Sequence, residues 1–156
     1  MAIEVNLCER LQKEEVPPFG KWDYISHQVC ASPFKPVDYM DRMDVFGYRY
    51  ITGYSVKSKF LIAELKKDCA TVDVVEQILK YVDWVCDEYT HNDYGMIEAF
   101  IVASDFDEEV KQMVSRFGVR NYNKGFRPTR FCVWNEIKLV KYNVNNGNIE
   151  YEIIPY

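Results

Sequence analysis

No Cys-x-x-Cys pair occurs among the five cysteines (Cys8, Cys30, Cys69, Cys86, Cys132). Their odd number and wide spacing disfavour a disulfide framework and a structural zinc site. Reduced thiols in a cytosolic core are the expectation. Long apolar runs are missing. The longest, Ala99 to Ala103, has five residues, against the ~20 needed to span a bilayer. The N-terminus, MAIEVNLCERLQKEE, has acids where a signal peptide carries a basic segment and an apolar one. A cytoplasmic protein without membrane contact is expected. Positive charge is not in excess: 19 Lys+Arg against 24 Asp+Glu give a net charge of −5. That excludes a protein whose only task is to coat phosphate backbones, but leaves room for a local basic patch. The two histidines, His27 and His91, stand alone and read as ordinary surface or packed side chains. Repeats, low-complexity tracts and linkers are absent.

What is present is a globular composition, 48% hydrophobic and 28% charged in 156 residues, enough for one domain over 1–156. Val5, Leu7, Cys8 and Leu11 recur at helical spacing over 4–15, ahead of Pro17-Pro18. Residues 22–29 read as a short strand and 32–38, with two prolines, as a loop. The stretch 39–51 alternates as a strand, and 59–66 (KFLIAELK) is apolar almost throughout to Ala63, as in a strand covered on both faces. Residues 72–88 form the clearest helix, with Val75, Ile78, Leu79, Val82, Val85 and Cys86 as one stripe and Thr71 as its N-cap. Residues 97–103 make another buried strand. A helix opens at Ser104 and Asp105, with Asp107 and Glu108 as capping-box partners and Gly118 at its end. A short strand spans 119–122. Residues 131–144 and 149–154 read as strands joined by Asn-Gly, a strong hairpin signal. This order predicts an α/β fold: a mixed β-sheet flanked by helices, with a C-terminal β-hairpin.

One strand carries chemistry. Glu64 and Lys66 stand two residues apart and share a strand face. Asp44, on the preceding strand, is placed to bring a second carboxylate to the same edge, with Asp41 as the alternative acid. Two carboxylates and a lysine suit metal-assisted phosphodiester cleavage: the acids hold a hard divalent cation, and the lysine orients water and offsets phosphate charge. Gln77 and Tyr81, one turn apart on the long helix, are placed to complete such a site. A Glu-x-Lys at a strand end is also what an ordinary solvated edge looks like.

The strings Arg42-Met43-Asp44, Phe60-Leu61-Ile62-Ala63-Glu64-Leu65-Lys66 and Val75-Glu76-Gln77-Ile78-Leu79-Lys80-Tyr81-Val82-Asp83-Trp84-Val85 resemble the PD-(D/E)XK nuclease superfamily. More narrowly, they are similar to the catalytic domain of NucS/EndoMS-type endonucleases. The likeness covers about 42–122. It implies a restriction-endonuclease-like sheet with its core over about 39–122 and C-terminal strands over 131–154. It implies Asp44 and Glu64 as ligands of Mg²⁺ or Mn²⁺, with the Leu65 carbonyl as a third. Lys66 would be the catalytic lysine and Gln77 the helix glutamine of the site. Arg42 and Tyr81 would contact nucleic acid. An acid on the first helix joins some such sites, and Glu4 and Glu9 are the candidates here. No separate DNA-binding domain of the NucS type is recognisable.

The loop Asn123 to Arg130 adds Lys124, Arg127 and Arg130 around a glycine, an aromatic and a proline, a composition suited to gripping a phosphate backbone. The expected function is therefore a Mg²⁺- or Mn²⁺-dependent nuclease acting on DNA, alone, as a homodimer or in a larger complex. The competing expectation is a catalytically silent nucleic-acid-binding or assembly module of a larger defence or repair system. RNA as substrate stands behind both.

Overall fold

A computed structural model of the chain describes residues 2–33 and 40–156. Most of the loop expected over 32–38, and Tyr39, lie outside the described residues. Among them, α1 spans Ala2–Lys13, α2 Asp73–Tyr89 and α3 Glu108–Phe117. The strands are β1 (Tyr24–Cys30), β2 (Arg42–Tyr50), β3 (Lys57–Leu65), β4 (Ile97–Ala103), β5 (Arg120–Lys124), β6 (Arg130–Trp134), β7 (Ile137–Asn145) and β8 (Asn148–Ile154). A six-stranded sheet runs β1-β2-β3-β4-β7-β8, and β5 and β6 form a separate ribbon. The β1–β2, β2–β3 and β7–β8 pairs are antiparallel, whereas β3–β4 and β4–β7 are parallel. The fold is thus mixed α/β, with helices on both faces and a C-terminal hairpin.

The parallel pairs follow from the chain between them. After β3 the 3.6-residue apolar period of α2 carries the chain back along the sheet, so β4 enters in the same direction as β3. Strand β4 is buried along nearly its whole length, which explains its continuous apolar sequence. Its two faces divide the core. On one, Ile97, Ala99, Ile101 and Ala103 join Phe60, Ile62 and the stripe of α2 (Val74, Val75, Ile78, Val82, Val85). On the other, Phe100 and Val102 join Val45, Leu61 and Ala63 beneath Leu7, Cys8 and Leu11 of α1. The β7–β8 turn has positive φ at both Asn146 (+49°) and Gly147 (+81°), the backbone that a two-residue hairpin turn requires.

Three expectations need correction. The apolar stretch 131–144 is not one strand. It breaks at Asn135-Glu136 because the buried Trp134 indole donates to the Ile97 carbonyl at 2.9 Å. That bond pins the end of the ribbon beneath the start of β4 before β7 enters the main sheet. Thr71 does not cap α2. The helix starts at Asp73 after a helical Val72, with no side-chain cap bond. Nor does α3 open at Ser104 and Asp105: it starts at Glu108, and Asp107 is itself the N-cap, accepting from the Val110 amide at 3.0 Å. All five cysteines are free. No helix among the described residues is long and apolar enough to cross a membrane.

Strand β2 passes β1 closely at Gly47. A Cβ there would lie 2.6 Å from the Tyr24 carbonyl oxygen and 2.5 Å from Ile25 Cδ1. Backbone cannot step aside as a flexible side chain can. Gly47→Ala should therefore lower unfolding free energy by about 1–3 kcal/mol in urea titration. An unchanged midpoint would contradict this close approach.

Candidate active site

The ladder between β2 and β3 ends at Val45↔Ala63. One residue further, Asp44 turns its carboxylate into the gap, and Oδ2 accepts from the Leu65 amide at 2.8 Å. A strand amide that has lost its ladder partner needs an acceptor, and Asp44 supplies it. Its other oxygen, Oδ1, accepts from Gln28 Nε2 at 3.1 Å. Glu64 points to the α2 side of the sheet, in line with Phe60 and Ile62. It is only 2% exposed, a degree of burial that ionisable side chains reach almost solely when paired. Lys66 Nζ donates to Glu64 Oε1 at 2.9 Å and to Gln77 Oε1 at 3.3 Å. Gln77 Nε2 in turn donates to the Tyr81 hydroxyl at 2.8 Å. Tyr81 is buried to 1% and so fixes the glutamine from the helix side. Asp44, Glu64, Lys66, Gln77 and Tyr81 are thereby brought together at the C-terminal end of β3 and the N-terminal half of α2.

The site holds more negative charge than its solvation supports. Burial raises the Glu64 carboxyl from an ordinary 4.5 to about 7, the Asp44 charge adds to this, and Lys66 opposes it. Asp44 is also raised, by burial first and by Glu4 next, while the Leu65 amide pulls it down. Burial lifts the Tyr81 hydroxyl to about 12, so it stays protonated. Glu64 Oε2 is buried and has no hydrogen-bond partner. An orphaned carboxylate oxygen beside a second carboxylate is a donor set that fits a hard divalent cation. The Leu65 carbonyl, between Glu64 and Lys66, is an oxygen of the right kind to join them. Among the described residues no three His, Cys, Asp or Glu side chains form a metal-binding group by themselves.

The remaining predicted residues are placed differently. Arg42 is exposed on β2 opposite Cys30. Asp41 pairs with Lys80 at 2.6 Å, so Asp44 is the acid that meets Glu64. Lys124, Arg127 and Arg130 are not at the carboxylates. Lys124 pairs with Asp93 at 2.8 Å, beyond the far end of α2, and Arg127 lies over the Phe126 ring. The ribbon that bears them is tied to α2 by Arg120, whose guanidinium donates twice to Asp83, at 2.7 and 2.9 Å. Of the two acids proposed on α1, Glu9 is exposed, whereas Glu4 reaches the site through Gln28, whose Nε2 donates to Glu4 Oε1 at 2.9 Å. Glu4 stands one turn before the buried Leu7 and Cys8, a spacing that marks the inward face of α1. Gln28 escaped the sequence reading altogether. A groove lined by Lys21, Asp23, Arg49 and Tyr50 to Ser55 opens at the β2–β3 turn, the opposite end of these strands.

No protein-family profile matches the chain, and no curated protein is significantly similar to it. Among solved structures, it is similar to a repair endonuclease from Pyrococcus abyssi, with 24% identity and a TM-score of 0.45 over 76% of this chain and 42% of that one. It is also similar to EndoMS in a complex with double-stranded DNA, with 18% identity and a TM-score of 0.47 over 73% and 39% of the two chains. Apo EndoMS gives 17% identity and a TM-score of 0.48 over 74% and 41%. The chain spans about two-fifths of the length of these proteins. At such identities and superpositions nothing about its own chemistry follows from them.

The raised carboxyl of Glu64 links stability to pH. In the folded state the proton is held more tightly than in the unfolded one. The resulting stability is fully present below about 4.5 and is lost as pH rises through about 7. Its full size is about 3 kcal/mol. Glu64→Gln, melted in EDTA, should gain on the wild type between pH 5 and pH 8. A stability difference independent of pH would contradict the buried, charge-crowded carboxylate.

Proposed function

We propose that the chain is a metal-dependent nuclease that hydrolyses phosphodiester bonds in DNA. The observation that carries this reading is the buried, unpartnered Oε2 of Glu64 beside Asp44, with the Lys66 ammonium on the same carboxylate. Asp44, Glu64 and the Leu65 carbonyl would hold Mg²⁺ or Mn²⁺. Such an ion polarises a phosphoryl oxygen and makes bound water acidic enough to attack at neutral pH.

The chain's own groups do the rest. Lys66, short of full burial, presents positive charge where a phosphate oxygen approaches and offsets charge that builds up there. Gln77 Oε1 accepts a hydrogen bond from the ammonium and so limits where Nζ points. Tyr81, kept neutral by burial, fixes the amide of Gln77 in the orientation that leaves its oxygen toward Lys66. The Leu65 amide keeps Asp44 turned inward rather than along its own strand. Arg42, exposed at the start of β2, is available to a phosphate of the same strand of nucleic acid. The Lys124–Arg130 loop is too far along α2 to touch the bond that is cut, so any contact it makes is with a more distant stretch of the same partner.

Supercoiled plasmid, linear duplex, single-stranded DNA and RNA assayed with Mg²⁺ or Mn²⁺ test the reading. Cleavage should be abolished by EDTA and should not be supported by Ca²⁺. Lys66→Met and Glu64→Gln should each lose about a thousandfold in rate, ~4 kcal/mol of transition-state stabilisation. Preference for RNA would change the substrate, whereas EDTA-resistant cleavage would sink the metal mechanism. A wild type that binds DNA and cuts nothing would favour the silent module.

Thermal melting with Mn²⁺ separates the two residues. Saturation at a hundredfold over Kd stabilises by about 2.7 kcal/mol. Wild type and Lys66→Met should both show the shift, and Asp44→Asn and Glu64→Gln should not. An equal shift in all four proteins would place the ion elsewhere.

A further inference from the structure

We propose that Gln28 is a positioning residue of this centre: its side-chain amide holds Glu4 and Asp44 together and sets the carboxylate geometry that the cation meets. The second half of the statement rests on the metal-centre reading above.

The backbone points to it first. Gln28 has φ +55° in the middle of β1. A left-handed conformation suits Gly and, less readily, Asn; an unbranched residue with a long side chain adopts it at a cost. Strand β1 is otherwise regular. His27 pairs with Val45 and Val29 with Met43, so Gln28 stands opposite Asp44, and at that one position the pairing is missing. The distortion therefore falls on the residue that faces the acid of the site.

The side chain uses what the backbone gives up. Nε2 lies 2.9 Å from Glu4 Oε1 and 3.1 Å from Asp44 Oδ1. An amide nitrogen has two protons, one for each carboxylate. Like charges this close repel, and the positive end of the amide stands between them. His27 Nδ1 lies 3.8 Å from Glu4 Oε1, the Leu65 amide donates to Asp44 Oδ2, Lys66 and Glu64 act on Asp44 from the other side, and the Cys8 thiol faces both acids from α1. Gln28 is itself exposed and bounds a surface depression with Glu4, Val5 and His27. It touches no reacting atom, and its effect passes through Asp44 and Glu4.

Gln28→Asn tests this directly. Asn accepts the left-handed backbone and keeps an amide, but is one methylene too short to span both acids. In EDTA at pH 8 the substitution should lower Tm in the wild-type background and by less than half as much in Glu4→Gln, where the repulsion is gone. Equal losses in the two backgrounds overturn the bridge. In Mn²⁺ titrations followed by calorimetry, Gln28→Asn and Gln28→Gly should each raise the apparent Kd about tenfold or more, as loss of a ligand's supporting partner does. Gln28→Gly relaxes the backbone, so weaker binding by that variant when it melts no lower than the wild type cannot be a folding defect. Unchanged affinity in both variants overturns the role toward the cation. A wild type that takes up no Mn²⁺ overturns the metal-centre reading instead, and the EDTA arm still decides whether Gln28 holds the carboxylates.

Discussion

A single hydrogen bond, from the Leu65 amide to Asp44 Oδ2, organises the polar end of this fold. It exists because β2 and β3 part after Val45 and Ala63. A strand that leaves its neighbour exposes an amide, and the nearest acceptor is one residue back on the departing strand. Asp44 cannot then face solvent along β2; it must turn inward, beside the carboxylate that β3 has already buried. Two acids become neighbours through backbone bookkeeping, and the consequences for charge follow. Lys66, Gln77 and Tyr81 line up on one side of the pair, and Gln28 and Glu4 on the other.

The polar chemistry of the molecule is divided between the two ends of α2. At the N-terminal half, Gln77 and Tyr81 face the acids of β2 and β3. Further along, Asp83 takes the Arg120 guanidinium and the Tyr94 hydroxyl, at 2.9 Å for the latter. That second cluster anchors the β5–β6 ribbon rather than building a site. Arginine is suited to it, since its planar fork matches a carboxylate with two parallel bonds. The same helix thus supports one crowded, under-neutralised group of charges and one fully paired group.

The strands and helices were legible where a single period dominates. Strand β4 and helix α2 lie within a residue of where apolar runs and the 3.6 period put them, because both are buried by simple geometry. The split between β6 and β7 leaves only a faint mark, the two consecutive polar residues Asn135-Glu136, and the docking of Trp134 is what turns that break into two strands. In the site, Glu64 and Lys66 were legible as a face because strands alternate. The burial of Glu64 was not, because its cover comes from α2, which starts nine residues later. The basic loop Lys124–Arg130 has a composition suited to a phosphate backbone, but its place beyond the far end of α2 is a matter of topology that no local rule carries. Gln28 left no trace: nothing in a run of Ile25-Ser26-His27-Gln28-Val29 announces a left-handed residue.

The topology also bears on the order of assembly. Strands β1, β2 and β3 form an antiparallel meander in chain order, whereas β3 meets β4 only across all of α2, with Phe60 finding Ile97. Local contacts form at lower entropic cost than distant ones. In the meander alone, Glu64 retains its water, since α2 and β4 supply its cover. Dehydration of that carboxylate therefore belongs to the docking of α2 and β4, so the barrier to that step, and not to hairpin closure, carries the electrostatic cost of the charge.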